Sequence, residues 1–450
     1  MCSFEREWRW KLASEKKQKD VPRLEVYQQR SVLIYEDGDS IQFDEGKPTA
    51  TAKHRLERIK QELSAGFLTN IISACKQPGY TSDTLDAKHL KLLSGLVDSV
   101  TSEVGRAIVG LTVLQFTVKA ITPEQSVRLH KAGGGGGNFS WCEGIPMRVL
   151  DKNFITPTLR EHGLLNLNAD GFMMTRSLAE NYPYSKLYKA AIRGARREWL
   201  ELVDLIETLE LSPLPALKNL IGMLINRSEK FKRSAEGTMQ AVTGITSRIA
   251  TIPDAIRFLR GFIDSAPYSA RLFEVAMHSL FQVLEDARVF GGSLKPLSQM
   301  RSANKKHGNV GDIEILKLLD GMEIVEAWDA KYGKLDLRDE LEELNEKLRD
   351  HSETEIAGFV TDRLPSIKPD TEQRIQELEE MHEVDIDILG FDDWVTQQVD
   401  RVGSTPTAIG AFWITAFAEC LCQKRRKRAP IDEPCDSWVD ALAVYAKSWN

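Results

Sequence analysis

The sequence predicts an α/β domain with a mixed central sheet on the C-terminal side of the chain, preceded by a mostly α-helical region that includes a winged-helix pattern. Two observations carry the division. Between about residues 268 and 395, apolar stretches of strand length alternate with stretches of helical period, and before residue 265 apolar residues recur mainly at intervals of three and four. A third, helix then hairpin between Asp151 and Arg176, supplies the winged-helix pattern. A chain of 450 residues exceeds what one hydrophobic core organises. The expected segments are 1–132, mostly helical; 138–265, helical with the wing; 266–400, the α/β domain; and 401–450, a helical tail.

In chain order, Ser31 to Glu36 and Ile41 to Asp44 read as a hairpin turned at Asp37-Gly38-Asp39. Helical spacing runs from about His54 to Val118. The five glycines Gly133 to Gly137 read as a loop, since no Gly-Lys-Ser/Thr follows them as a phosphate cradle requires. Thr156 is the expected N-cap of a short helix with Pro157 in its first turn, ending at Gly163. Leu164 to Asn168 and Phe172 to Arg176 are the two strands of the wing. Lys186, Lys189, Arg193 and Arg196, spaced three, four and three apart, are expected on one face of a helix, with Tyr188, Ala195 and Trp199 on another. Such a stripe is either a solvated face or a contact for phosphates.

Helical spacing continues from Leu200 to Phe262, broken at Pro213, Pro215 and Pro253. Ser269 to Ala287 follows as a helix ending near Gly291-Gly292, then strands Asp312 to Leu318 and Met322 to Lys331. A helix Leu337 to Arg349, a strand Ile356 to Thr361, a helix Thr371 to Met381 and a strand Val384 to Leu389 complete the domain.

Composition narrows the function. With 42% hydrophobic and 28% charged residues, and no apolar run near the roughly 18 to 20 residues of a membrane span, a membrane protein is not expected. The charged start of the chain lacks a secretory pattern, so a cytoplasmic location is expected. Of six cysteines, Cys420, Cys422 and Cys435 lie near one another without paired zinc-ligand spacing, and free thiols are expected. The formal charge of −7 gives no global attraction to nucleic acid, so any contact must come from local basic surface: the stripe from Lys186, or Lys424 to Arg428.

Chemistry concentrates between Gly311 and Gly333. Asp320-Gly321 is a strong two-residue hairpin signal. With those residues as the loop, Asp312 lies opposite Asp329, with Cβ atoms roughly 4.5 to 5.5 Å apart, and Lys331 shares their face. Ile313, Ile315, Ile324 and Trp328 then form the opposite, apolar side. Two adjacent carboxylates repel unless a cation lies between them. Asp312, Asp329 and the carbonyl of Ala330 suit Mg²⁺, which takes few protein oxygens and keeps its waters. Lys331 is placed to orient or help deprotonate an attacking water and to neutralise charge on phosphorus.

Asp312 followed by Asp329-Ala330-Lys331 on the next strand resembles the active-site motif of the PD-(D/E)XK nuclease superfamily. The triplet alone is unspecific, since Glu15-Lys16-Lys17 and Asp86-Ala87-Lys88 also fit it; the pairing with an upstream aspartate distinguishes the one at 329. The resemblance implies an αβββαβ core with Arg288 to Phe290 as its short first strand, Mg²⁺ as cofactor, and a glutamate on the preceding helix, matched by Glu274. It departs from the family where Gly311 replaces a proline.

The two-part layout, without phosphate-loop motor motifs, is similar to type II restriction endonucleases. That implies sequence-specific hydrolysis of double-stranded DNA, a homodimer at least on DNA, and a separate cognate DNA methyltransferase. A structure-selective repair or junction nuclease of the same superfamily is the enzyme alternative. A non-catalytic DNA-binding or scaffold protein is the alternative from another class. His278, one turn after Glu274, reads as a packed helix residue.

Overall fold

The computed structural model describes residues 21–81, 83–100, 103–132, 139–165, 178, 180–192, 194–249, 251–298, 308–317, 323–334, 336–402, 408–431 and 435–449. The chain separates into two compact units, 1–228 and 229–450.

In the first unit, β1 (Arg23–Val26), β2 (Arg30–Ile34) and β3 (Ser40–Asp44) form an antiparallel meander. The expected hairpin is β2 and β3; β1 adds an edge strand that the sequence reading did not anticipate. Thr49 caps α1 (Ala50–Ser64), its hydroxyl accepting the Ala52 N–H at 3.0 Å. Next come α2 (Phe67–Cys75), α3 (Ala87–Asp98) and α4 (Glu103–Ile121). Leu111, Leu114 and Phe116 of α4 are all fully buried, as an all-round apolar helix must be. Beyond α5 (Met147–Leu150), a π-helical turn Asp151–Ile155 leads directly into α6 (Thr156–Glu161). Thr156 is therefore not an N-cap: the backbone before it is already helical, and its hydroxyl donates to Asp151 at 2.9 Å. Residues 166–177, where the wing was expected, lie outside the described residues.

The helix expected from Lys186 begins only with α7 (Arg196–Glu207). Tertiary packing overrides the spacing. Tyr184 and Tyr188 turn inward and pack edge-on against Trp199, with ring centroids 4.9 and 6.0 Å from it. Gly194 then sits at φ 89, which a continuing helix cannot accommodate. The unit ends within α8 (Pro213–Thr246).

In the second unit, Thr251 and Asp254 form a capping box for α9 (Ile252–Ser265), which leads to α10 (Ser269–Asp286). Then follow β4 (Gly292–Leu294), β5 (Ile313–Lys317), β6 (Ile324–Lys331), α11 (Arg338–Leu348), β7 (Ile356–Thr361), α12 (Pro369–His382), β8 (Asp385–Gly390), α13 (Phe391–Asp400), α14 (Ile409–Leu421) and α15 (Cys435–Ser448). The strands lie in the order β4-β5-β6-β7-β8, a mixed sheet. β4, β5 and β6 pair antiparallel; β6, β7 and β8 are parallel, joined through α11 and α12, since a parallel return needs a crossover.

The first strand is displaced from its expected place. Arg288 to Phe290 still finish α10: Arg288 has φ 57, and its N–H and that of Val289 donate to Glu285 and Leu284 carbonyls. The strand is Gly292–Leu294.

Both sheet faces are covered, as parallel strands require. On one side Ile313, Ile315, Trp328 and Val360 share a core with α9, α10, α13, α14 and α15; on the other Ala327, Phe359 and Ile386 pack with Leu341 and Leu344 of α11. Because Trp413, Phe417 and Trp438 belong to the first of these cores, residues beyond 401 are part of the sheet domain rather than a separate tail.

Ile313 pairs with Trp328, Glu314 with Ala327 and Ile315 with Glu326, the register that places Asp312 beside Asp329. A β-bulge then shifts the ladder, and Leu316 pairs with Ile324. Ile324 therefore joins the α11 side, while Val325 packs with the core that Ile324 was expected to enter. The turn at Asp320-Gly321 lies outside the described residues.

Candidate active site

The end of β6 and the start of β5 bring Asp312, Asp329 and Lys331 together. Along β6, Trp328 and Ala330 turn toward the α10 core, which leaves Asp329 and Lys331 on the α11 side with Ala327. Asp312 is fixed at the mouth of β5: its N–H donates to the Trp328 carbonyl at 3.0 Å, and its Oδ2 accepts the Ala330 N–H at 3.1 Å. Gly311 is needed here, because a Cβ at that position would lie 2.8 Å from the Trp328 carbonyl oxygen. A proline would meet the same wall. The Lys331 Nζ lies 2.9 Å from Asp329 Oδ2 and 5.7 Å from the centre of the Phe359 ring.

Burial drives the Asp312 carboxyl well above the usual range, and the charges of Asp329 and Glu274 push it further. Asp329 would also be raised by burial, but the hydrogen bond with Asp312 and the cations Lys331 and Lys347 hold it low. The two directions are opposite, so a proton held by the pair is favoured on Asp312 over Asp329. For Lys331, burial alone would lower the ammonium; Asp329 beside it more than compensates, and it stays charged.

Glu274 reaches this cluster from α10. Burial raises its carboxyl against the pull of Arg271, and it senses both Asp329 and Lys331. The buried Arg271 guanidinium donates to Glu274 and, at 2.6 Å, to the Ser298 carbonyl. Glu274 is thereby tethered, and among the described residues no three His, Cys, Asp or Glu side chains are arranged to hold a metal ion. The donor set that fits a divalent cation is narrower: the facing carboxyls of Asp312 and Asp329, with the carbonyl of Ala330. A cation between them would offset the like charge of the two ionised carboxylates.

A cavity of about 10 Å³, room for about one water, lies against Asp329, Gly311, Glu340, Lys347 and Phe359. Lys347, Arg271 and Glu314 were not singled out from the sequence. Lys347 and Arg271 carry no local signal, being brought in by helix packing. Glu314 had one, its alternation with Asp312 on the same strand face.

The basic stretch in the first unit is not a helical stripe. Lys186 and Lys189 are exposed, Lys186 lying 3.8 Å from Asp204 and Lys189 5.3 Å from the Tyr182 ring. Arg196 turns back to the Tyr188 carbonyl, and Arg193 lies outside the described residues. In the second unit, Arg425 pairs with Glu419 and Asp286, and Arg428 with Glu285 and Asp286, so acidic neighbours absorb part of that basic run. His278 is fully buried between the Lys295 carbonyl and Gln282, its pKa lowered by burial to about 4. No helix among the described residues is long and apolar enough to cross a membrane. The sequence matches neither a protein-family model nor a curated protein.

Proposed function

We propose that this chain hydrolyses phosphodiester bonds of double-stranded DNA in a Mg²⁺-dependent reaction, as a type II restriction endonuclease. The observation that carries the reading is the Asp312–Asp329 pair, which the β5–β6 register sets side by side, with the Lys331 ammonium 2.9 Å from Asp329. Structural pairs are normally opposite in sign; a like-charged pair beside a lysine suits a site that receives a cation and an anionic substrate. The element order α10-β4-β5-β6-α11-β7 supports the same reading, because it is the αβββαβ order of the superfamily that the motif resembles.

Mg²⁺ bound by Asp312, Asp329 and the Ala330 carbonyl would supply Lewis acidity toward the scissile phosphate and lower the pKa of a coordinated water. With a cation held there, Asp312 would bind it as the carboxylate, any proton it carries passing to solvent. Lys331, kept charged by Asp329, stabilises negative charge developing on the phosphate rather than acting as a base. Arg271 keeps Glu274 from converging fully on the pair, so Glu274 contributes mainly through its field. Cutting both strands needs two such sites, and the proposed active species on DNA is a homodimer.

Incubating the purified chain with several plasmids and Mg²⁺ tests the reading. Discrete fragments that differ between plasmids are expected; cutting confined to branched or flapped substrates would favour a junction nuclease, and no cutting a binding protein.

A further inference from the structure

We infer that Glu314 is a positioning residue: its buried carboxylate clamps the backbone of Val310 and Gly311 and so sets the direction in which Asp312 presents its own carboxylate. The inference rests on the metal-dependent reading above. Glu314 is 2% exposed, and a carboxylate so placed is costly unless its lone pairs are used. They are used on one segment. Its Oε1 accepts the N–H of Val310 at 2.6 Å and of Gly311 at 3.2 Å, while Oε2 lies 2.5 Å from the Lys295 ammonium. Lys295 in turn donates to Asn309 Oδ1 at 2.9 Å, and its backbone N–H to the Glu314 carbonyl at 2.9 Å. From α11, Lys347 donates to the Val310 carbonyl at 3.2 Å. Each of the three residues before Asp312 is thereby tethered, two of them by the same carboxylate.

The clamp answers two local problems. Close approach to the Trp328 backbone demands glycine at 311, and glycine leaves the chain before Asp312 free to vary its dihedrals. The β5–β6 register also sets the Asp329 carboxyl against that of Asp312, so the direction of the Asp312 side chain must be held against a crowded neighbour. A segment tied at Asn309, Val310 and Gly311 resists both. The Gly311 N–H that Glu314 uses is a donor that a proline there would lack. Groups behind a metal ligand that fix its orientation typically account for about 10- to 100-fold in metal affinity.

The test uses the full-length chain, Mn²⁺ alone as the probe, titration calorimetry, and thermal melts by circular dichroism. Wild type is expected to bind Mn²⁺ and Asp312→Asn to lose that binding. Glu314→Ala, assayed well below its melting temperature, is expected to bind about tenfold more weakly or worse, whereas Glu314→Gln, which keeps an acceptor oxygen for the two amides, stays within about threefold. A role in stability alone would lower both melting temperatures without separating the two affinities. Folded Glu314→Ala with wild-type affinity overturns the inference. If that variant does not fold, Lys295→Met, which releases Asn309 but leaves the carboxylate, is expected to weaken binding about threefold or more, and unchanged affinity there overturns it. Wild type that takes up no Mn²⁺ contradicts the metal reading itself, and differs from failure of the clamp, in which wild type and variants bind alike.

Discussion

Three buried or half-buried cations of the first unit each lie against a carboxylate. Arg128, almost fully buried, lies 2.6 Å from Asp204; Lys119 faces Glu207 at 3.7 Å, and Arg55 pairs with Glu143 at 2.5 Å. At the β5–β6 edge of the second unit, three carboxylates are brought together: Asp329 has Lys331 and Glu274 has Arg271, while Asp312 faces the Asp329 carboxylate and is driven up by burial and by that charge. The sheet domain thus keeps a like-charged contact unlike these three pairs. Such a cost persists where folding does not select against it because the arrangement serves binding or chemistry.

The sharpest way to break this contrast is to remove the like-charged pair. Asp329→Ala is expected to reduce plasmid cleavage by about a thousandfold or more while leaving DNA affinity within roughly tenfold, because it deletes a cation ligand and not a docking surface. Lys331→Ala is expected to act in the same direction. Substantial cleavage by Asp329→Ala would place the chemistry elsewhere. The mirror experiment belongs to the first unit: Asp204→Ala leaves the Arg128 guanidinium buried without its carboxylate and is expected to cost about 3–5 kcal/mol in chemical denaturation. A cost near zero would mean that Arg128 is not held by that pair.

Asp312→Asn separates stability from function. The Asp312 carboxyl is raised in the folded state, so the native protein binds more protons than the unfolded one between the two pKa values. Its ionisation therefore destabilises the metal-free fold as pH rises through that window. At neutral pH the Asn variant, which has no such group, is expected to melt about 2 °C or more above wild type without metal, and to lose cleavage. A melting temperature below that of wild type would show the pair to be structural. The smallest effect concerns Lys186 and Lys189: neutralising both is expected to flatten the salt dependence of DNA binding by about two phosphate contacts, and an unchanged slope would make them ordinary surface.

The legible parts of the molecule were those governed by local pattern. β7 stands at Ile356–Thr361, as its continuous apolar run between polar segments indicates, and β5 and β6 pair near the site in the register expected from alternation, although a bulge shifts the ladder toward the turn. Packing decided what was not legible. The bulge near Val325 is a tertiary adjustment with no local signature, and it moved Ile324 to the other core. The spacing of Lys186, Lys189, Arg193 and Arg196 is helical, yet burying Tyr184 and Tyr188 against Trp199 outweighs helical propensity there. Glu274 is matched through the family resemblance, by its position on the helix before the sheet, but its tether to Arg271 depends on how that helix meets Ser298.

The most direct measurement counts protons. Mg²⁺ should displace the proton held by the Asp312–Asp329 pair, so calorimetric titration of the metal-free chain with MgCl₂, at one pH below the raised Asp312 value and in two buffers of different ionisation enthalpy, reports its release. Binding accompanied by release of about one proton per Mg²⁺, abolished in Asp329→Ala, is the predicted result. Binding with no proton released, or with the same release in Asp329→Ala, would contradict the assignment of this carboxylate pair as the cation site.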